Sequence, residues 1–195
     1  MGDTPVICCA EEGVLNGCRH GYAWAWHELH RRYRPTAASF LRKLGVAECD
    51  LDDCTQDTFL EVYRHLAGFR NEATFKTWFY RICVSQARRT RRRVQVAQAL
   101  RDTSLSMALH PFVSVPSFTE ERALQSIHDA SGQLPPLLRV PFLLFEVQGL
   151  SGKSIAAILR CPESTVWRRL HVARRAVTEV FLGADGPSGR QSACT

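Results

Sequence analysis

Residues 149–177, GLSGKSIAAILRCPESTVWRRLHVARRAV, are the stretch that most restricts what this chain can become. Ser151 stands where a hydroxyl can accept an otherwise unpaired backbone N–H and so start a helix. Ile155, Ile158 and Leu159 then recur at helical spacing. Arg160-Cys161-Pro162 stops that helix, and Pro162 suits the first turn of a second one, where its missing N–H costs nothing. Along the second helix Val166, Leu170, Ala173, Val177 and Val180 form a stripe fit for burial. Ser164, Thr165, Trp167, Arg168, His171, Arg174 and Arg175 fall largely outside it. Two short helices on a tight turn, the second showing hydroxyls, an aromatic ring and arginines to solvent, suit a DNA major groove. An ordinary helical hairpin with a solvated basic face fits the same spacing, so the rest of the chain must decide.

Charge is the next constraint. The formal net charge is +6, and Arg88, Arg89, Arg91, Arg92 and Arg93 alone supply five of those units. Such a cluster beside an aromatic-rich segment points to phosphate contacts more than to general solubility. No apolar run approaches a membrane span, and the N-terminus lacks a basic region followed by an apolar core. A cytoplasmic protein without membrane insertion is expected. The eight cysteines contain no C-x-x-C pair and no zinc-finger spacing. In a reducing cytoplasm they are expected to be free, with Cys83 and Cys161 standing in for small apolar residues. Cys8, Cys9, Cys18 and His20 are the loose group open to a metal or redox signal. His27 and His30 are three apart, where a zincin site needs four, and both read as surface residues.

Read in order, the chain predicts an all-α fold of two helical domains joined by a flexible linker. Residues 1–12 are expected to be disordered and 13–95 to form the first domain. Within it a helical region from about residue 14 to 44 breaks at Gly21, carries Leu29, Tyr33, Ala37, Phe40, Leu41 and Leu44 on one face, and is kinked or divided at Pro35. The next helix is expected to be capped by Asp50 and closed by Gly68. Its core face is Leu51, Thr55, Thr58, Phe59, Val62 and Leu66, and Asp53, Asp57 and Glu61 form an acidic ridge with Asp52 and Gln56 beside it. Thr74 is expected to cap the helix that runs through Phe75, Trp78, Phe79, Tyr80 and Ile82 into the arginines. Phe75, Phe79 and Ile82 are assigned to the core. Phe69, Trp78 and Tyr80 are left open to stack on unpaired bases, with arginines following the backbone.

Residues 96–119 read as the linker and 120–182 as the second domain, with helices over 120–131 and 134–148 before the hairpin. Pro141 should bend the second of these and Gly149 should cap it. Residues 183–195 read as a disordered tail. Gly152-Lys153-Ser154 mimics the end of a phosphate-binding loop, but Val147 replaces the needed glycine and no strand precedes it. No nucleophile, base or metal constellation is visible, so no enzyme activity, cofactor or metal is expected.

The order of acidic helix, aromatic and arginine helix, linker and helix-turn-helix resembles the extracytoplasmic-function (group IV) sigma factors of the bacterial sigma-70 superfamily. WHELHRRYRPTAASFLRK and DLDDCTQDTFLEVYRHLAGFRNEATFKTWFYRICVSQARRTRRR are similar to region 2. LPPLLRVPFLLFEVQGLSGKSIAAILRCPESTVWRRLHVARRAV is similar to region 4. The resemblance implies a transcription initiation factor that binds core RNA polymerase and directs it to promoters. It implies polymerase contact, through the β′ clamp helices and the β subunit, at Asp52, Asp53, Gln56, Asp57, Phe59 and Glu61. It implies −10 contacts at Phe69, Arg70, Asn71, Glu72, Trp78, Tyr80, Arg81, Ser85, Arg88, Arg89, Arg91 and Arg92. The −35 contacts would be Ser164, Thr165, Trp167, Arg168, His171 and Arg175. An anti-sigma factor is a further implied partner. Ser85, Trp167 and Val172 depart from residues common in the family, as do Pro141, Lys153 and Ser154. The alternative from another class is a stand-alone helix-turn-helix regulator, which would need neither the acidic ridge nor the aromatic loop.

Overall fold

The computed structural model describes residues 11–70, 73–102 and 132–184. The chain divides into two compact units, within Met1–Leu109 and His110–Thr195. Every described element is helical.

In the first unit α1 (Glu11–Arg19) turns at Gly21 into α2 (Ala23–Lys43). Gly21 has φ +77°, a backbone region that glycine enters without steric cost. Helix α3 (Glu48–His65) follows, then a short 3-10 turn (Leu66–Gly68) and α4 (Phe75–Asp102). Much of the apolar repeat seen in the sequence is core. Leu29, Ala37, Phe40 and Leu41 of α2, Leu51 and Val62 of α3 and Phe79 of α4 are buried. Cys83 and Val84 join them where the three helices pack on one another. Burying a side chain of that size contributes about 1.5–3 kcal/mol each before the entropy cost of ordering it. Gly17 permits α1 to lie close on α2, because a Cβ there would sit 2.7 Å from the Cβ of Ala25.

Four local expectations need correcting. Pro35 lies inside α2 without dividing it, although its ring nitrogen has no N–H to donate to the helix. Helix α3 starts at Glu48, with Ala47 at the cap position and no side-chain cap, so Asp50 is an acid in the first turn. Ile82 is only partly buried. Helix α4 continues to Asp102, so the first part of the expected linker is helical. The Thr74 cap is present, its hydroxyl accepting from the Thr77 N–H at 3.3 Å. The remaining linker, the helix expected over 120–131 and the two chain ends expected to be disordered fall outside the described residues, apart from α1 reaching Glu11 and the last helix reaching Ala184.

In the second unit α5 (Pro136–Phe142) runs into a π-helical turn (Leu143–Val147). Pro141 has no N–H for the α ladder, and two residues beyond it the helix expected over 134–148 changes from α to π winding. Gly149, at φ +65°, ends the element by donating to the Phe145 carbonyl at 3.1 Å. The hairpin is α6 (Gly152–Leu159) and α7 (Glu163–Ala184). Ser151 accepts from the Ser154 N–H at 3.2 Å, as an N-cap should. Arg160 makes the turn in the left-handed region at φ 52°, and Pro162 takes the position before α7, its carbonyl accepting from the Thr165 N–H at 3.0 Å. Leu134, Phe142, Ala173 and Val177 form one apolar cluster. Ile155, Ile158, Val166 and Leu170 are buried beneath the hairpin. Val180, expected in the same stripe, has its side chain outside the described residues.

Candidate nucleic-acid and protein interface

The α3 ridge is real, and part of it is already matched by positive charge. Asp52, Asp53 and Gln56 are exposed. Asp52 pairs with Arg34 at 3.3 Å. Asp57 lies 3.4 Å from Arg93, and Glu61 lies 3.2 Å from Arg64 and 3.4 Å from Arg89. Burial works to raise the Glu61 carboxyl, but Arg64, His65 and Arg89 outweigh it and hold the group below its ordinary range. Phe59 is half-buried, its ring 4.6 Å from His30 and 5.9 Å from Phe79, so it serves the core and the surface together.

Beside the ridge lies an open groove of about 760 Å³ between α2 and α3. Trp26, His30, Phe59, Leu60 and Tyr63 line much of it, and Leu60 and Tyr63 are 43% and 64% exposed. Burial, then Arg34 and His27, lower the basicity of His30 and favour its neutral, more apolar form. The buried Thr55 hydroxyl at this groove has no hydrogen-bond partner among the described residues. Sequence reasoning missed the groove. Tyr63 follows Phe59 by one helical turn, and that was the available signal.

The aromatic segment behaves differently from its sequence reading. Tyr80 is 1% exposed and packs edge-on against Phe40 at 4.8 Å, and burial raises its phenol well above the ordinary value. Trp78 and Phe69 are also buried, with ring centroids 5.1 Å apart, and both pack on Phe75. Tyr80 is therefore corrected from a candidate base-stacking residue to a core residue, because its ring has no free face. Phe69 and Trp78 pack with Phe75 where the 3-10 turn and the start of α4 come together. Asn71 and Glu72 lie outside the described residues. Arg70, Arg81, Ser85, Arg88, Arg89 and Arg92 are exposed and Arg91 is partly so, which gives α4 a cationic outer surface.

The outer face of α7 matches its sequence reading more closely. Ser164, Arg168, His171 and Arg175 are exposed, and Thr165 is partly buried. Arg175 has only a loose ion pair, 3.8 Å from Glu179. Trp167 needs a finer account. It is 44% exposed, yet its indole N–H donates to Glu163 at 3.2 Å and its ring meets Phe145 edge-on at 5.4 Å. A Cβ on Gly152 would come within 2.7 Å of that ring. Trp167 thus ties α7 to the start of α6 and offers one edge outward. Arg174, read as part of the cationic face, donates to Glu146 at 2.7 Å and lies over the Phe145 ring at 5.1 Å.

Cys18 is buried and its thiol is pushed up to about 11 by desolvation, which keeps it protonated and poorly nucleophilic. Burial raises Cys54 and Cys83 as well. Among the described residues no three metal-ligating side chains converge. Cys8, Cys9 and Cys194 lie outside them. Among the described residues, too, no helix is long and apolar enough to cross a membrane.

Family models match on both sides of the chain. Residues 29–96 match the model described as Sigma-70 region 2, and residues 124–177 match Sigma-70, region 4. The chain is 32% identical to the ECF RNA polymerase sigma-E factors of Salmonella typhimurium and Escherichia coli, over 86% of this chain and 92% of each relative. It is 32% identical to the RNA polymerase sigma-H factor of Pseudomonas aeruginosa, over 68% of this chain and 73% of that one. Two solved structures share the fold. One is CnrH in complex with the cytosolic domain of CnrY, at TM-score 0.64 and 23% identity, covering 89% of this chain and 97% of that one. The other is the sigma factor RpoE with the anti-sigma factor NepR from Bartonella quintana, at TM-score 0.64 and 22% identity, covering 82% and 97%.

Proposed function

This chain belongs to the sigma-70 family, in its extracytoplasmic-function branch, and from that premise we propose how its two units divide the work of promoter-specific initiation. The first unit, region 2, docks on core RNA polymerase through Asp52, Asp53, Gln56, Asp57, Phe59 and Glu61, together with the apolar groove at Leu60 and Tyr63. A basic helix pair of the β′ clamp would meet acids at the ridge and bury apolar side chains in the groove. Charge complementarity of this kind sets register and speeds encounter, while the buried apolar contacts hold the complex.

The same unit opens the −10 element. Residues 69–72 and the α4 face carrying Arg81, Ser85, Arg88, Arg89, Arg91 and Arg92 take the non-template strand. Pulling a base out of its stack costs a few kcal/mol, so the chain must offset that by stacking, hydrogen bonds and phosphate contacts. The second unit, region 4, reads −35 as duplex. Ser164, Thr165, Arg168 and His171 face the groove of the DNA, Arg175 the backbone, and Trp167 contributes its exposed edge. The free energy comes from binding, so the chain works as a non-catalytic, cytoplasmic factor. By likeness to neighbours solved with CnrY and NepR, an anti-sigma protein covering the polymerase-docking and DNA-facing surfaces is the expected brake.

The observation that carries this reading is the pairing, in one chain, of an acidic and apolar α3 face with an exposed recognition helix. A stand-alone regulator needs only the second. Reconstituted transcription tests it: core RNA polymerase, this chain and fragmented genomic DNA, with transcript starts mapped. Starts that require the chain and share two spaced upstream elements are the expected result. A duplex shift by the chain alone, with no new starts, would favour the regulator and remove the region 2 assignments.

A further inference from the structure

Trp167 is 44% exposed on the outer face of α7, yet what its ring shows to solvent is narrowly restricted. The indole N–H donates to Glu163 at 3.2 Å. The ring edge beside that nitrogen faces the start of α6, since a Cβ on Gly152 would come within 2.7 Å of Cζ2 and 2.9 Å of Cε2. The ring also meets Phe145 at 5.4 Å and 73°. Phe145 is itself held: it is partly buried on the π-helical turn and lies under the Arg174 guanidinium at 5.1 Å, while Arg174 donates to Glu146 at 2.7 Å. The indole is therefore placed before any DNA is met, so the cost of ordering it is not charged to binding.

Nitrogen is the only heteroatom of an indole. With the N–H committed to Glu163, the ring presents hydrocarbon to its surroundings. Its neighbours on the helix surface differ. Ser164 stands three positions before it, Arg168 one after and His171 four after, all exposed and all carrying polar atoms. Trp167 is the fifth residue of α7, in the N-terminal part that a recognition helix turns towards base edges. In the major groove three of the four bases show only donors and acceptors at those edges, whereas thymine adds a C5 methyl group. A hydrocarbon edge gains nothing from the first kind and buries the methyl of the second.

We propose that Trp167 is a specificity-determining residue that selects a thymine in the −35 element by packing on its C5 methyl group. This rests on the reading that region 4 binds −35 as duplex. Glu163 is the positioning residue: by accepting the N–H it fixes the indole and withdraws the one ring group that could bond another base.

The test uses holoenzyme reconstituted from the full chain and core polymerase, with promoter affinity measured by competition titration. Its templates are a mapped promoter and versions in which each thymine of the −35 element, on either strand, is replaced in turn by deoxyuridine. Uracil pairs as thymine does and lacks only the methyl. In wild type one such replacement should weaken binding about fourfold, the effect of one buried methyl group. Trp167→Ala should bind the thymine and uracil templates at that position equally, while keeping its penalties for base-pair changes elsewhere in the element. Because alanine also removes the tie to α6, Trp167→Arg is the second variant. Its long side chain can pair with Glu163 one turn away and lie on Phe145, and it should abolish the uracil difference while favouring guanine at that position. Glu163→Ala, which releases the N–H, should shrink the uracil penalty without removing Trp167. A wild-type holoenzyme that responds to −35 base-pair changes but is indifferent to every uracil would overturn the proposal alone. So would a −35 element without an A·T pair, or a uracil penalty that survives in Trp167→Arg. If wild type is indifferent to every base-pair change across −35, region 4 does not read that element, and the proposed function fails together with the inference.

Discussion

On α7 the residues read from sequence as DNA-facing stand in solvent, with Ser164, Arg168 and His171 exposed above a stripe of Val166, Leu170 and Ala173. On α4 the residues read as base-stacking are inside, with Tyr80 and Trp78 buried among Phe40, Phe69, Phe75 and Phe79. On the proposed function, the second unit would present its reading residues to duplex DNA already exposed on one helix face. The first unit spends Trp78 and Tyr80 on its core, which leaves the exposed arginines of α4 as its most evident candidates for nucleic-acid contact. The contrast fits the two tasks: a helix face already exposed suits a duplex groove, whereas holding an unstacked base takes a pocket that offsets the cost of unstacking.

The largest expected effect breaks the comparison at Tyr80. As a core residue, Tyr80→Ala should cost about 3–5 kcal/mol of stability, measured by denaturant unfolding of the full chain. A loss below about 1 kcal/mol, with promoter opening impaired, would return Tyr80 to the surface. Next comes the α3 ridge. Asp53→Lys with Asp57→Lys should weaken binding to core polymerase by about 2–5 kcal/mol while circular dichroism stays the same. Unchanged affinity in a fluorescence titration would mean the docking face lies elsewhere.

Legibility followed the same divide. Helical periodicity exposed the core stripes of α2, α3 and α7, because burial on one face leaves a direct trace at spacing 3 and 4. It also located the Ser151 and Thr74 caps, whose hydroxyls act on the next three residues and need no tertiary partner. It was less decisive on α4. Spacing placed Phe75 and Phe79 in the core, where they lie. Seven of the ten positions from Phe75 to Val84 are apolar or aromatic, however, and spacing alone left Trp78 and Tyr80 open. Such a helix sits between two neighbours, α2 and α3, and buries more than one face. The Asp57–Arg93 and Glu61–Arg89 pairs were illegible for another reason. They join positions 36 and 28 apart, and nothing local announces that an acidic ridge and a basic cluster face each other. Trp167 was read correctly as lying off the stripe, but its use of Gly152 as a seat is a contact between helices that spacing cannot reveal.

A smaller effect sharpens the account of the hairpin. Gly152→Ala places a Cβ 2.7 Å from both the Trp167 ring and the Glu163 carboxylate. It should destabilise the second unit by about 1–3 kcal/mol, seen as a lower unfolding midpoint for that unit. A stability equal to wild type would show that Trp167 swings freely and is no tie between α6 and α7. The smallest effect belongs to the matched charges. Glu61→Gln removes partners of Arg64 and Arg89 that are themselves largely exposed, and should change stability by less than about 1 kcal/mol. A larger loss in the same unfolding assay would make the α3–α4 charge contact a structural strut.

The most direct test of the division of labour is a crossed measurement. Wild-type and Arg168→Ala holoenzymes are compared for open-complex formation on three promoters: intact, altered at one −35 base pair, and altered at one −10 base. If α7 reads duplex −35 independently, Arg168→Ala should lose about 1–3 kcal/mol on the intact promoter and become indifferent to the −35 change, while keeping the full penalty for the −10 change. Equal sensitivity to the −35 change before and after the substitution, or loss of discrimination at both elements together, would contradict it.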